Sequence, residues 1–169
     1  MKRFFFHPNG RLLAYLSCLI TLVFVAGCSS VSSTIRAARY DEVTDSSLSA
    51  IQQKTDDFVA SLKKNFGTDA ASLENSKGFY GEIGQDLLRL ETRVRSIPEN
   101  VKTENLVHNI RMVILGDGTV ADVTSLKYLH GIPGNVSRGI PMTTLEITHR
   151  NISQIISSAR SLELEKARP

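Results

Sequence analysis

Beyond its first 27 residues the chain carries three histidines, His108, His130 and His149. Imidazole is a general base near neutral pH and the commonest protein metal ligand, so these side chains are weighed first. No two of them stand four apart, and no His-Glu-x-x-His motif is present. Each is therefore expected to be an exposed or capping histidine, and no metal site is expected. Serine is plentiful, but no Gly-x-Ser-x-Gly elbow or Ser-x-x-Lys nucleophile motif is read as supporting acyl transfer. Gly116-Asp117-Gly118 is not a phosphate loop, because no Lys-Ser/Thr follows it. Asp41, Glu42 and Asp45 cluster without an Asp-x-Asp-x-Asp-Gly pattern, so they read as acids complementing a helix N-terminus rather than as calcium ligands. Arg89, Arg93 and Arg95 share one segment with Asp86 and Glu91, which predicts a salt-laced solvent face. No catalytic residue and no cofactor emerge.

One cysteine stands in a more telling setting. Lys2, Arg3 and Arg11 form a positive start, followed by the 14-residue, mostly apolar and uncharged run Leu12 to Val25. As a helix that run would reach roughly 21 Å, short of the ~30 Å hydrocarbon core. It suits the core of an export signal better than a permanent membrane span. The run ends in Val25-Ala26-Gly27-Cys28, which resembles the bacterial lipobox. The resemblance implies diacylglycerol on the Cys28 sulfur, cleavage before Cys28, and acylation of the new amine. Ser29 follows where, by enterobacterium-like sorting rules, Asp would retain the protein in the inner membrane. Ser implies the outer membrane of a Gram-negative host, with the periplasmic face as the default side.

Two consequences follow from that reading. Residues 1–27 hold three of the 20 basic residues and no Asp or Glu, so the mature chain has as many basic residues as its 17 acidic ones. Neutrality and export together argue against nucleic acid as a partner. Cys18 departs with the signal and Cys28 is consumed by lipid, which leaves no thiol for a disulfide or a metal. The fold must then be held by packing alone.

The elements that would position these residues read as helices. Ser29, Ser30, Ser32, Ser33 and Thr34 make residues 28–41 a tether, with Arg36 and Arg39 close to the bilayer. Leu48, Ile51, Thr55, Phe58, Leu62 and Phe66 recur at three and four, predicting a helix over 42–66, N-capped by Asp45 or Thr44 and stopped at Gly67. After a connection over 67–78, Phe79, Ile83, Leu87, Leu90, Val94 and Ile97 give a second stripe. Pro98 ends that helix near Ser96, and Glu91 and Arg95 are spaced for an i,i+4 pair. Tyr40, Phe79 and Tyr80 are expected to pack or staple element ends.

Thr103 is a candidate cap for a third helix with Leu106, Ile110, Val113 and Ile114 inward. Met112–Leu115, the Gly-Asp-Gly turn and Thr119–Val123 allow either helix–turn–helix or a β-hairpin. On the helical reading Val123, Leu126 and Leu129 face inward. Gly131–Pro141 is a loop. The last helix spans 142–166 on Leu145, Thr148, Ile152, Ile155, Ala159 and Leu162. The fold class expected is all-α: an antiparallel bundle of four to five amphipathic helices (42–169) after a cleaved lipoprotein signal peptide (1–27) and a tether (28–41).

Tyr40-Asp41-Glu42-Val43-Thr44-Asp45, with Leu48, Ile51-Gln52 and Lys54-Thr55-Asp56, is similar to the start of the mature region in a family of small bacterial lipoproteins without assigned activity. Leu162-Glu163-Leu164-Glu165-Lys166 resembles that family's ending. The likeness covers about half the mature chain, is loosest from Gly116 to Pro141, and implies a helical lipoprotein with no catalytic residues. The function expected is a membrane-anchored accessory or scaffolding component of the cell envelope. Its partners would be the bilayer, through Cys28, and an envelope protein. The alternative is a module holding an apolar or peptide ligand between its helices.

Overall fold

The computed structural model describes residues 38–118 and 123–168. They belong to a compact unit that runs from Arg36 to Pro169. The lipobox, Cys28 and Ser29 lie outside the described residues, as do the apolar run and most of the Ser-rich tether. Among the described residues the fold is all-helical, with five α-helices, one short 3₁₀ turn and no strand.

Helix α1 (Glu42–Asn65) starts at Asp41, whose extended backbone lets its side chain accept from the Thr44 amide at 3.1 Å. The cap is therefore Asp41, not Asp45 or Thr44; Thr44 sits a turn further in, buried, and its hydroxyl also donates to Asp41. Leu48, Ile51, Thr55, Val59 and Leu62 form the buried face. Val59, not Phe58, lies at its centre, and Phe66 is exposed beyond the helix end. At Gly67 the chain turns with φ of 85°. The connection contains the 3₁₀ turn Asp69–Ala71.

Helix α2 (Lys77–Ser96) ends where Pro98 requires, with Ile83, Leu87, Leu90 and Val94 inward. Tyr80, not Phe79, is its buried aromatic residue. The Pro98 turn is tight enough to hold Glu99 at φ of 61°. Helix α3 (Val101–Leu115) follows at once, so Thr103 is an interior, fully buried helical residue rather than a cap. Val107, Ile110 and Ile114 are its buried apolar side chains, and Leu106 is only half-buried. Met112–Leu115 close this helix, which removes the hairpin reading; residues 119–122 lie outside the described residues. Val123 is exposed rather than inward. Helix α4 (Leu126–Gly131) is a short turn and a half, capped by Ser125 and buried through Leu126 and His130. Helix α5 (Met142–Lys166) buries Leu145, Thr148, Ile152, Ile156, Ala159 and Glu163. The inward positions are thus Ile156 and Glu163, where Ile155 and Leu162 are expected.

The pairing of side chains fixes the helix directions. Asp45, Gln52, Asp56 and Lys63 of α1 meet Arg160, Ser153, His149 and Glu146 of α5 in descending order. Asp41 and Lys54 meet Arg93 and Asp86 of α2 the same way. Glu91 and Arg95 of α2 meet Arg111 and Glu104 of α3. Along these three seams the partners follow in opposite order, and α5 lies against both α1 and α3. The loop after α4 lies on the 3₁₀ turn: the Gly67 amide donates to the Arg138 carbonyl and the Leu73 amide to the Val136 carbonyl, both at 2.8 Å. Gly139 makes this approach possible. Its φ is 89°, and a Cβ there would stand 3.0 Å from the Ala71 Cβ.

Candidate functional site

At the end where the preceding chain joins α1, polar side chains from four segments converge. Glu163 is fully buried. It accepts from the Lys166 ammonium, from the Thr103 hydroxyl at 2.7 Å, and from the Asp41 amide at 3.4 Å. Lys166 donates further to Asn100 Oδ1 at 2.5 Å and Thr103 Oγ1 at 2.7 Å, and Asn100 Nδ2 donates to the Val94 carbonyl at 3.1 Å. The buried carboxylate is thus neutralised by an ammonium that itself has three acceptors, as burial of a charge demands. Alongside, Asp41 takes a two-pronged bond from Arg93, both contacts 2.6 Å. That guanidinium, helped by the Thr44 donors, holds the Asp41 carboxyl down at about 2. The arrangement ties the first and last helices and the α2–α3 turn into one knot.

The signal for this knot was available in the α5 pattern. Extending Leu145, Thr148, Ile152, Ile156 and Ala159 by four lands on Glu163, and Lys166 stands three further on. A carboxylate on an otherwise apolar face calls for a buried cation.

The histidines fall in three different settings. His130 is fully buried, not exposed. Its Nε2 lies 2.9 Å from the Ala71 carbonyl, which can only accept, so Nε2 carries the proton. Nδ1 then accepts from the Tyr80 hydroxyl at 3.1 Å. Burial lowers the His130 pKa and raises that of Tyr80. Phe58 stacks on Phe79 at 3.7 Å between centroids and meets Tyr80 edge-on, completing an aromatic wall. His108 lies 3.3 Å from Glu91, which is held by Arg111 at 2.9 Å. Glu91 therefore pairs across to α3, and Arg95 pairs with Glu104 at 2.9 Å, in place of the expected Glu91–Arg95 pair. His149 lies 2.6 Å from Asp56, which also accepts from Gln52. Among the described residues no three His, Cys, Asp or Glu side chains gather as a metal site.

The other candidates are spread over the surface. Arg89 pairs with Asp86, while Asp45 pairs with Arg160. With Asp41 on Arg93, two of the three acids at the start of α1 are engaged in a cap and ion pairs, and Glu42 is exposed. Ser61 and Lys64 share a Ser-x-x-Lys spacing that the motif reading passes over. Both are exposed, and Ser61 accepts from the Asn65 amide at 3.3 Å. Between α1 and α2 runs an open groove of about 450 Å³, floored by Val43, Ala50, Ile51 and Leu90 and rimmed by Lys54, Asp86, Arg89 and Arg93, with Lys54 and Arg89 paired to Asp86 and Arg93 to Asp41. No helix among the described residues is long and apolar enough to cross a membrane. No protein-family model, curated protein or solved structure matches the chain.

Proposed function

We propose that this chain is a lipoprotein of the bacterial cell envelope that acts by contact, as an accessory or scaffolding component. On this reading residues 1–27 are a cleaved signal, Cys28 bears the lipid, and Ser29 directs the protein to the outer membrane. The helices form an antiparallel bundle, a reading supported by the opposed order of their side-chain pairs. The observation that carries the contact role is the set of large apolar side chains exposed at the loop end. Phe66, Tyr128, Ile132 and Val136 are 36–45% exposed. Tyr128 stands one turn before Ile132 at the end of α4, Val136 bonds back to Ile132, and Gly67, next to Phe66, bonds to Arg138 of the same loop. Grouped apolar exposure of this kind marks interaction surfaces. A photocrosslinking residue at Tyr128 in cells is expected to capture one discrete envelope protein, and the same residue at Arg150 is expected not to. Absence of any product from Tyr128, or equal products from both positions, would overturn the contact role.

The α1–α2 groove favours a second reading, a module for an apolar or peptide ligand, since its floor is apolar and its rim carries both signs of charge. Native mass spectrometry of protein purified from membranes tests it. A co-purified ligand lost on Arg89→Glu would support it, and the mass of the anchored polypeptide with no added ligand would sink it.

A further inference from the structure

The two ends of the helical unit differ in how the chain reaches them. Asp41, Asn100, Thr103, Glu163 and Lys166 are bonded to one another, so the start of α1, the α2–α3 turn and the last turn of α5 share one end. Around that knot Tyr40, Val43, Val101 and Leu164 are 37, 48, 62 and 47% exposed. Among the described residues Arg39, Lys102 and Arg168 enter no ion pair, and neither do Glu42, Glu99 and Glu165. Twelve residues separate Cys28 from Asp41, at most about 40 Å of fully extended chain.

We propose that this end of the unit rests on the headgroup layer of the bilayer that carries the anchor, with Tyr40, Val101 and Leu164 seated in the interface. The inference rests on the lipid-anchor reading above and adds the surface by which the domain meets the membrane. A tether this short keeps the end at high effective concentration over the bilayer, so modest contacts suffice. Tyrosine is favoured at headgroup level, where its ring is shielded and its hydroxyl stays wet. Arg39, Lys102 and Arg168 can lay their stems on apolar surface with the charges in water. Three acids match these three bases, so the seating depends on apolar contact rather than on anionic lipid. The same behaviour is expected on zwitterionic and anionic vesicles.

The chain contains no tryptophan, so a single introduced indole reports cleanly. Val101→Trp and Ile147→Trp form a matched pair, because both positions are 62% exposed. Ile147 stands next to Glu146, which meets Lys63 near the other end of α1. Each full-length variant would be expressed in its host and checked for unchanged helicity. It would then be reconstituted into phosphatidylcholine vesicles with brominated or plain acyl chains, and its N-terminal mass read from the same sample. The expected result is loss of emission in brominated vesicles, with a blue shift, for Val101→Trp and none for Ile147→Trp. Equal quenching, or quenching at Ile147→Trp alone, overturns the proposal, and with an acylated Cys28 it does so while leaving the anchor intact. An unmodified Cys28 in an uncleaved chain overturns the anchor instead. The apolar run Leu12–Val25 then holds the protein on the vesicle, and the tryptophan pair still decides which end is seated.

Discussion

Replacing Lys166 by Met would leave the Glu163 carboxylate buried without its cation. The expected cost is about 3–5 kcal/mol, read as a lower midpoint in urea unfolding. Glu163→Met together with Lys166→Met removes both charges, and the double variant is expected to unfold later than the single one. If the two are equally unstable, the ion pair is not what Lys166 contributes. His130 makes a different demand. Its pKa is depressed by burial, so the neutral form is the one folding favours. The folded protein binds that proton less readily than the unfolded chain. The contribution is complete above the ordinary histidine value of about 6.5 and is lost as pH falls below it. His130→Gln is expected to flatten the fall in thermal midpoint between pH 7 and 5; an unchanged slope would show that other groups set it.

At the scale of the element, Asp41 does two jobs, capping α1 and bonding to Arg93. Asp41→Ala is expected to cost at least about 1 kcal/mol from the cap alone, measured by chemical denaturation. Because the Asp41 carboxyl is held at about 2, its contribution stands above the usual carboxylate range and is lost as pH falls through it toward 2. The variant should therefore show a shallower acid transition. In the α2–α3 turn Glu99 occupies the left-handed region, which costs an L-residue about 1–2 kcal/mol. Glu99→Gly is expected to raise stability by up to about 1 kcal/mol, since glycine's extra freedom when unfolded offsets part of the relief. Helix existence and ends were legible wherever Gly, Pro and the apolar stripe agreed, as at Ser96 before Pro98 and at Met142 after Pro141. Which of two adjacent residues faces inward was less so. Val59 beside Phe58 and Ile156 beside Ile155 differ by one position, and only the neighbouring helices choose between them. The first cap differs from expectation because Asp41 lies seven residues before the first member of the stripe, Leu48, and is also held by Arg93, 52 positions away.

For the whole molecule the two ends carry different surfaces. Helix α1 has 24 residues and so separates them by about 36 Å. The tether end holds the polar knot and the residues proposed to meet lipid, and the loop end holds Phe66, Tyr128, Ile132 and Val136. Cys28→Ala is expected to move the protein out of the outer-membrane fraction without altering its helical content, read by fractionation and N-terminal mass. Retention of the variant in that membrane would show that the lipid is not the anchor. The proposed address rests on a local motif and needs no fold. The knot, by contrast, is legible only in its Glu163–Lys166 half; Asp41, Asn100 and Thr103 come to it from 60 or more positions away.

The seam between α1 and α5 has a bearing on biogenesis. Its contacts join positions far apart along the chain, 93 residues for Asp56 with His149, 101 for Gln52 with Ser153 and 122 for Asp41 with Glu163. On the proposed export route a chain threaded from its N-terminus would deliver α1 and α2 before α5. In that interval α2 can pack on α1, but the part of the stripe that α5 covers must wait for the long closure between them. On the export route proposed above, the apolar face left for α5 would be the last part of this chain to be covered.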